Sequence, residues 1–204
     1  EQLDYADQLS RHTTVEQLVE IANTDTSRIT RLWAYRILLK KADKQVFDVL
    51  KQALKDTTHV ELESGCIGSE EPYNRAAIFV YNYDGNELKL SNQLRFSLDS
   101  LIFFGYMKNK GFENGLLMDF KPHKIYYATV IEEADKGNDA ILPLLAQYKN
   151  PNDRQRINKL LKDNLKKAGA CSYEACDAIS NWNDPAFEWY AKAACQATIK
   201  QEDY

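Results

Sequence analysis

At 204 residues, 44% hydrophobic and 27% charged, the chain has the composition of a folded protein and can bury one substantial core, as one domain or two closely packed halves. Its net charge of -4 argues against a nucleic acid or an anionic membrane as partner and favours a basic protein. No apolar run approaches the length that crosses a bilayer, no segment reads as a signal peptide, and a start at Glu1 suits a processed, exported protein and a shortened one equally.

In chain order, Gln2 to Ser10 reads as a short helix that packs Leu3, Tyr5 and Leu9 onto the first helical hairpin. Thr13 and Thr14 stand three residues before Glu16 and Gln17, the spacing of a capping box, so a helix starts there and carries Leu18, Val19, Ile21 and Ala22 on one side. Residues 23–27 interrupt it with side chains that prefer caps and turns. A second helix places Ile29, Leu32, Trp33 and Ile37 at spacings of three and four, and a third, capped by Asp43, carries Val46, Phe47, Val49, Leu50, Ala53 and Leu54. These hairpins cannot bury their apolar faces alone.

Beyond Lys55 the pattern changes. His59 to Glu63 alternates, Ser64 to Tyr73 reads as an exposed loop, and Ala77 to Tyr83 is rich in β-branched and aromatic residues before the turn signal Asp84-Gly85. A small β-hairpin insert from Ile78 to Ser91 is the expectation, with a helix through Asn74 to Asn82 as its rival. The helical period returns at Asn92 and ends at Lys108 to Gly111, apolar nearly all round at Phe103, Phe104, Tyr106 and Met107. Phe112 to Phe120 reads as a short helix. Pro122 suits the first turn of the next, whose expected buried stripe is Tyr127, Val130, Ile131 and Ala134. A turn at Lys136 to Asp139 leads to a helix with Ile141, Leu144, Leu145 and Tyr148. Then comes Arg154 to Lys167, which buries Ile157, Leu160, Leu161 and Leu165 and shows Lys159, Lys162 and Lys166 on its far side. That lysine row is the best basic patch, yet a charged back face is ordinary for a surface helix, and nucleic-acid binding is not expected. A final helix spans Pro185 to Lys200. The fold class is therefore mainly α, a single domain over 1–204: helical hairpins at 1–56, loop and insert at 57–91, a helical core at 92–168 and a cysteine-containing cap at 169–204.

The run of Asp25 in an inter-helix turn, then Arg31, Ala34 and Leu38, resembles a HEAT-type helical repeat. Residues 141–148 and 154–165 resemble it less well, with Asn150 to Asp153 as the turn, Arg156 as the arginine, and Lys159 where a small residue belongs. The resemblance implies stacked helix pairs, an extended binding surface and no chemistry. An irregular bundle is the alternative.

Four cysteines, at 66, 171, 176 and 195, form an even set concentrated near the carboxyl end, as expected when disulfides tie down a terminal segment. Their spacing and the scattered His12, His59 and His123 do not suit zinc. Of three connectivities, Cys171 with Cys176 and Cys66 with Cys195 is the expected one. Asn82, Asp84 and Gly85 do not make a calcium loop, because that register puts Val80 and Ser91 where carboxylates are required. No cofactor is implied. The expected function is a protein-binding module in the periplasm or outside the cell, such as an inhibitor, immunity-type or adaptor protein. Its contact residues would be Tyr81 and Tyr83 near the hairpin tip and Trp182, Phe187 and Trp189 in the cap, each with core packing as its alternative. The rival is a hydrolase or transferase with the glycine-flanked Cys66 as nucleophile.

Overall fold

The computed structural model describes residues 2–64, 67–85, 90–117, 120–168 and 172–193. Within them the protein is mainly helical with one two-stranded antiparallel sheet, and it divides into two compact units, Glu1–Gly111 and Phe112–Tyr204.

The first unit begins with α1 (Gln2–His12), α2 (Val15–Thr24), α3 (Arg28–Lys40) and α4 (Val46–Ala53). The capping box is present at α2: the Thr14 hydroxyl accepts from the Gln17 amide and the Gln17 side chain accepts from the Thr14 amide. Asp25 turns the chain by accepting from the Ser27 amide at 2.7 Å, and Ser27 caps α3. Asp43 accepts from the Gln45 amide at 2.8 Å in the turn before α4 but is not its cap, because the N-cap position falls on Gln45, which makes no side-chain capping bond. The α2–α3 hairpin and α4 bury Leu18, Leu38, Leu39, Val49 and Leu50 completely or nearly so.

Strands β1 (His59–Ser64) and β2 (Ile67–Pro72) pair antiparallel, with His59 opposite Pro72 and Glu61 opposite Glu70. The sheet thus lies upstream of the expected 78–91 hairpin and takes up most of the expected 64–73 loop. Helix α5 (Tyr73–Gly85) occupies the segment read as a strand, in line with the rival helical reading; residues 86–89, with Leu88, lie outside the described residues. The reason is periodicity. Tyr73, Ala76, Ala77, Ile78 and Tyr81 are buried at helical spacing, which a short apolar run does not distinguish from a strand, and Asn82 to Gly85 end a helix rather than turn a hairpin.

Helix α6 (Asn92–Ser100) continues without a break through a π-helical turn, Leu101–Met107, into α7 (Lys108–Lys110). Leu98, Ile102, Phe103 and Met107 are fully buried. A π turn moves carbonyls off the α-helical ladder, and the Asn109 side-chain amide donates to one of them, the Gly105 oxygen, at 3.2 Å. Gly111, at a φ of 110°, closes the helix in a conformation that side chains rarely adopt.

In the second unit, α8 (Asn114–Leu117) precedes α9 (Lys124–Asp135), α10 (Leu142–Gln147), α11 (Arg154–Ala168) and α12 (Tyr173–Asn181). Pro122 lies outside α9, whose N-cap is His123, and the buried stripe is Tyr126, Thr129, Val130 and Ala134, one position round from the expected face. Every residue from Leu142 to Ala146 is buried, so α10 forms the centre against which α9, α11 and α12 pack. The chain is helical again to residue 193, and the expected continuation to Lys200 lies outside the described residues.

Arg31 joins these levels in the first unit. Its guanidinium donates to the Ala22 carbonyl at 3.1 Å and to Asp56 at 2.8 Å, and it lies 4.3 Å from the centroid of the Tyr73 ring. Charge-assisted bonds at a half-buried site contribute about 1.5–3 kcal/mol, whereas the exposed Arg11–Asp7 pair within α1 is worth well under about 1 kcal/mol. Arg31→Ala is expected to lower unfolding stability by about 2–3 kcal/mol in a urea titration, and Arg11→Ala by less than about 0.5 kcal/mol.

Candidate functional site

In the first unit a groove of about 640 Å³ lies between α3 and the hairpin. Ile29, Leu32 and Trp33 of α3, Val60 and Leu62 of β1, and Val80 of α5 supply its apolar surface. Arg28 and Arg36 stand on the helical wall, and His59, Glu61 and Glu70 on the sheet wall. Trp33 is half-buried, with the Arg36 guanidinium 5.2 Å from its ring centroid, a cation–π arrangement that holds the indole in one orientation.

Local chemistry fixes the spacing of the two walls. Asp56, in the connection before β1, accepts from the Thr58 amide at 3.0 Å and from the Thr58 hydroxyl at 2.5 Å, besides the Arg31 bond. The Thr58 hydroxyl in turn accepts from Arg28 Nε at 2.6 Å. The backbone carbonyls of Thr58 and Asp56 accept from the amides of Tyr73 and Asn74 at 2.7 and 3.0 Å, so the start of α5 is tied to the same knot. Partial burial works to raise the Asp56 pKa, but the bonds from Thr58 and Arg31 outweigh it and hold the carboxyl below the ordinary aspartate range. Burial pushes the Tyr73 hydroxyl up to about 12, which keeps it neutral beside Arg31 and Asp56.

The sheet wall carries an unfavourable pairing. Glu61 and Glu70 are cross-strand partners, both exposed and both facing the groove. Like charges directly opposite one another destabilise a ladder by a few tenths to about 1 kcal/mol. Among the described residues each strand of this two-stranded sheet has one neighbour, and four consecutive residues of β1, His59 to Leu62, line the groove.

The residues singled out from sequence fall in both units. Tyr81 is buried, and its hydroxyl donates to Asp99 at 2.6 Å; burial first, then the Asp99 charge, raise its pKa. Tyr83, 83% exposed, is accessible but does not line the groove. In the second unit Trp182 and Phe187 are buried against each other, edge to face at 5.3 Å; side chains so enclosed offer a partner almost no area. Trp189 is half-buried, donates from Nε1 to Asn158 at 2.6 Å, and lines a shallow cleft beside α11. Cys176 is exposed on α12 and disulfide-bonded; Cys66, Cys171 and Cys195 lie outside the described residues.

Sequence reasoning placed Trp33 in the core stripe of α3 and did not single it out for binding. The available signal was Arg36, three residues on, which places a cation on the ring's own face of the helix. Among the described residues no helix is long and apolar enough to cross a membrane, and no group of three or more histidine, cysteine and carboxylate side chains is placed to hold a metal ion.

Because the Asp56 pKa is lower in the folded chain, the stability its bonds contribute is complete above the unfolded value near 4 and is lost as pH falls through the folded value. Urea midpoints are expected to drop between about pH 5 and pH 2 in the native sequence. In Asp56→Asn the midpoint starts lower and falls less steeply over the same range.

No protein-family model, curated protein or solved structure matches the chain, and the geometry carries the functional argument.

Proposed function

We propose that this protein is a protein-binding module that takes an extended, basic segment of its partner into the groove between α3 and the hairpin. The observation that carries the reading is the Glu61–Glu70 pair on the sheet wall of a groove with Trp33 in its helical wall. A pairing that weakens the free sheet is relieved when a lysine or arginine of a partner lies across both carboxylates. An extended segment beside β1 can add main-chain hydrogen bonds to that strand while its alternate side chains enter the apolar groove. Arg28 and Arg36 on the opposite wall fix the direction in which a charged segment lies.

The module acts as an inhibitor, immunity-type or adaptor protein in an oxidising compartment, periplasmic or extracellular. The even cysteine count and the bonded state of Cys176 support that placement. No observation favours the alternative of a Cys66-dependent hydrolase or transferase.

Affinity capture on the immobilised native chain, quantified by mass spectrometry against groove variants, tests the binding reading. Trp33→Ala is expected to lower partner retention about tenfold or more. Glu61→Gln with Glu70→Gln is expected to weaken capture while leaving stability unchanged or raising it by up to about 1 kcal/mol. Retention unchanged in both variants would overturn the reading. Protein isolated from its native compartment with thiols trapped is expected to show no free thiols, and peptide mapping to give Cys171–Cys176 and Cys66–Cys195. Four free thiols would remove the oxidising compartment, and selective labelling of Cys66 by iodoacetamide would reopen the nucleophile.

A further inference from the structure

The second unit carries a separate surface on which cations predominate. Lys159, Lys162 and Lys166 follow one another along α11 at spacings of three and four and, with Asn158 and Trp189, line a shallow cleft of about 660 Å³. Arg154, Arg156, Lys136, Lys167 and Lys192 of this unit each sit against a carboxylate. Among the described residues none of the three cleft lysines is within ion-pair distance of one, although Asp163 lies on the same face and Lys159 acts on Asp135 at longer range. A row of like charges on one helix face is destabilising by itself, and an opposing row of carboxylates would neutralise it.

We infer that this cleft docks an extended acidic segment of a partner protein. Trp189 fixes the kind of ligand. Its Nε1 is engaged by Asn158 at 2.6 Å, Lys162 Nζ stands 5.9 Å from its ring centroid, and Tyr190 meets it edge to face at 5.7 Å. Half-buried and with a lysine over its ring, this single indole is less open than the exposed aromatic platforms on which successive bases of single-stranded nucleic acid stack. The indole instead forms a rigid apolar side to the cleft, against which a peptide backbone can lie while its carboxylates reach the ammonium groups at helical spacing. Asp163 within the row sets register, because a carboxylate of the ligand placed opposite it is repelled.

The probe is octaglutamate, titrated into the full-length, isotope-labelled protein while the Trp189 indole N–H resonance, assigned by its loss in Trp189→Phe, is followed. A saturable shift that weakens as salt rises is expected. Lys159→Glu and Lys162→Glu are each expected to weaken it about tenfold or more, and the milder Lys162→Gln, which removes the charge without reversing it, to weaken it less while preserving the thermal midpoint. An indole resonance that does not move at low salt would overturn the inference, as would a shift that survives both charge reversals. Tighter binding of oligothymidylate than of octaglutamate would replace the acidic peptide with nucleic acid. The cleft lies in the other unit from the α3 groove, and its test does not depend on that reading.

Discussion

The Asp56 carboxylate is the constraint on which the first unit depends. It receives the guanidinium of Arg31 from α3 and the amide and hydroxyl of Thr58 from the approach to β1, while its own carbonyl receives the amide of Asn74 at the start of α5. A two-stranded hairpin is marginal by itself in water. Here its two ends are pinned, through Thr58 and Tyr73, to helices that already share a core. The groove exists because that pinning sets the distance from the helical wall to the sheet wall, and the carboxylate remains ionised because its hydrogen bonds outweigh the cost of partial burial.

The second unit uses similar chemistry with different geometry. Asp153, 2% exposed, accepts from the Tyr127 hydroxyl at 2.7 Å and pairs with Arg156, which also reaches Asp135. Arg156 is thus tied to the aspartate of the turn just before it, whereas Arg31 bypasses Asp25 for an aspartate 25 residues downstream. The same pair of residue types, an aspartate in a turn and an arginine in the following helix, closes a local loop in one unit and a long-range one in the other. Such a pair in a sequence indicates that an ion pair forms near a helix start and leaves the partner open.

That difference marks what was legible. Thr14 with Gln17, Ser27 before α3 and the apolar spacing of α3, α4 and α11 are local signals, and each produced the expected element. The hairpin was not legible at its true position because β2, Ile67–Pro72, carries glycine, serine and two glutamates and becomes a strand only by pairing with β1. Conversely, Ile78, Phe79 and Val80 have strand propensity, yet the burial of Ala76 and Ala77 commits the segment to a helix. The groove could not be read for the same reason. Trp33 is on the apolar stripe of α3, and only the long-range position of β1 decides that it meets open space there rather than core.

The two surfaces should differ in what salt does to them. At physiological ionic strength the Debye length is about 8 Å, so exposed charge steers a ligand chiefly at close range. The cleft beside α11 is lined mainly by lysines and amides with one indole, and its attraction for an acidic segment is almost wholly electrostatic. The α3 groove adds Trp33, Ile29, Val60, Leu62 and Val80 to its charges, and burial of apolar area is not weakened by salt. On the proposed reading, charge at the Glu61–Glu70 pair selects which segment enters, and the apolar surface decides how long it stays.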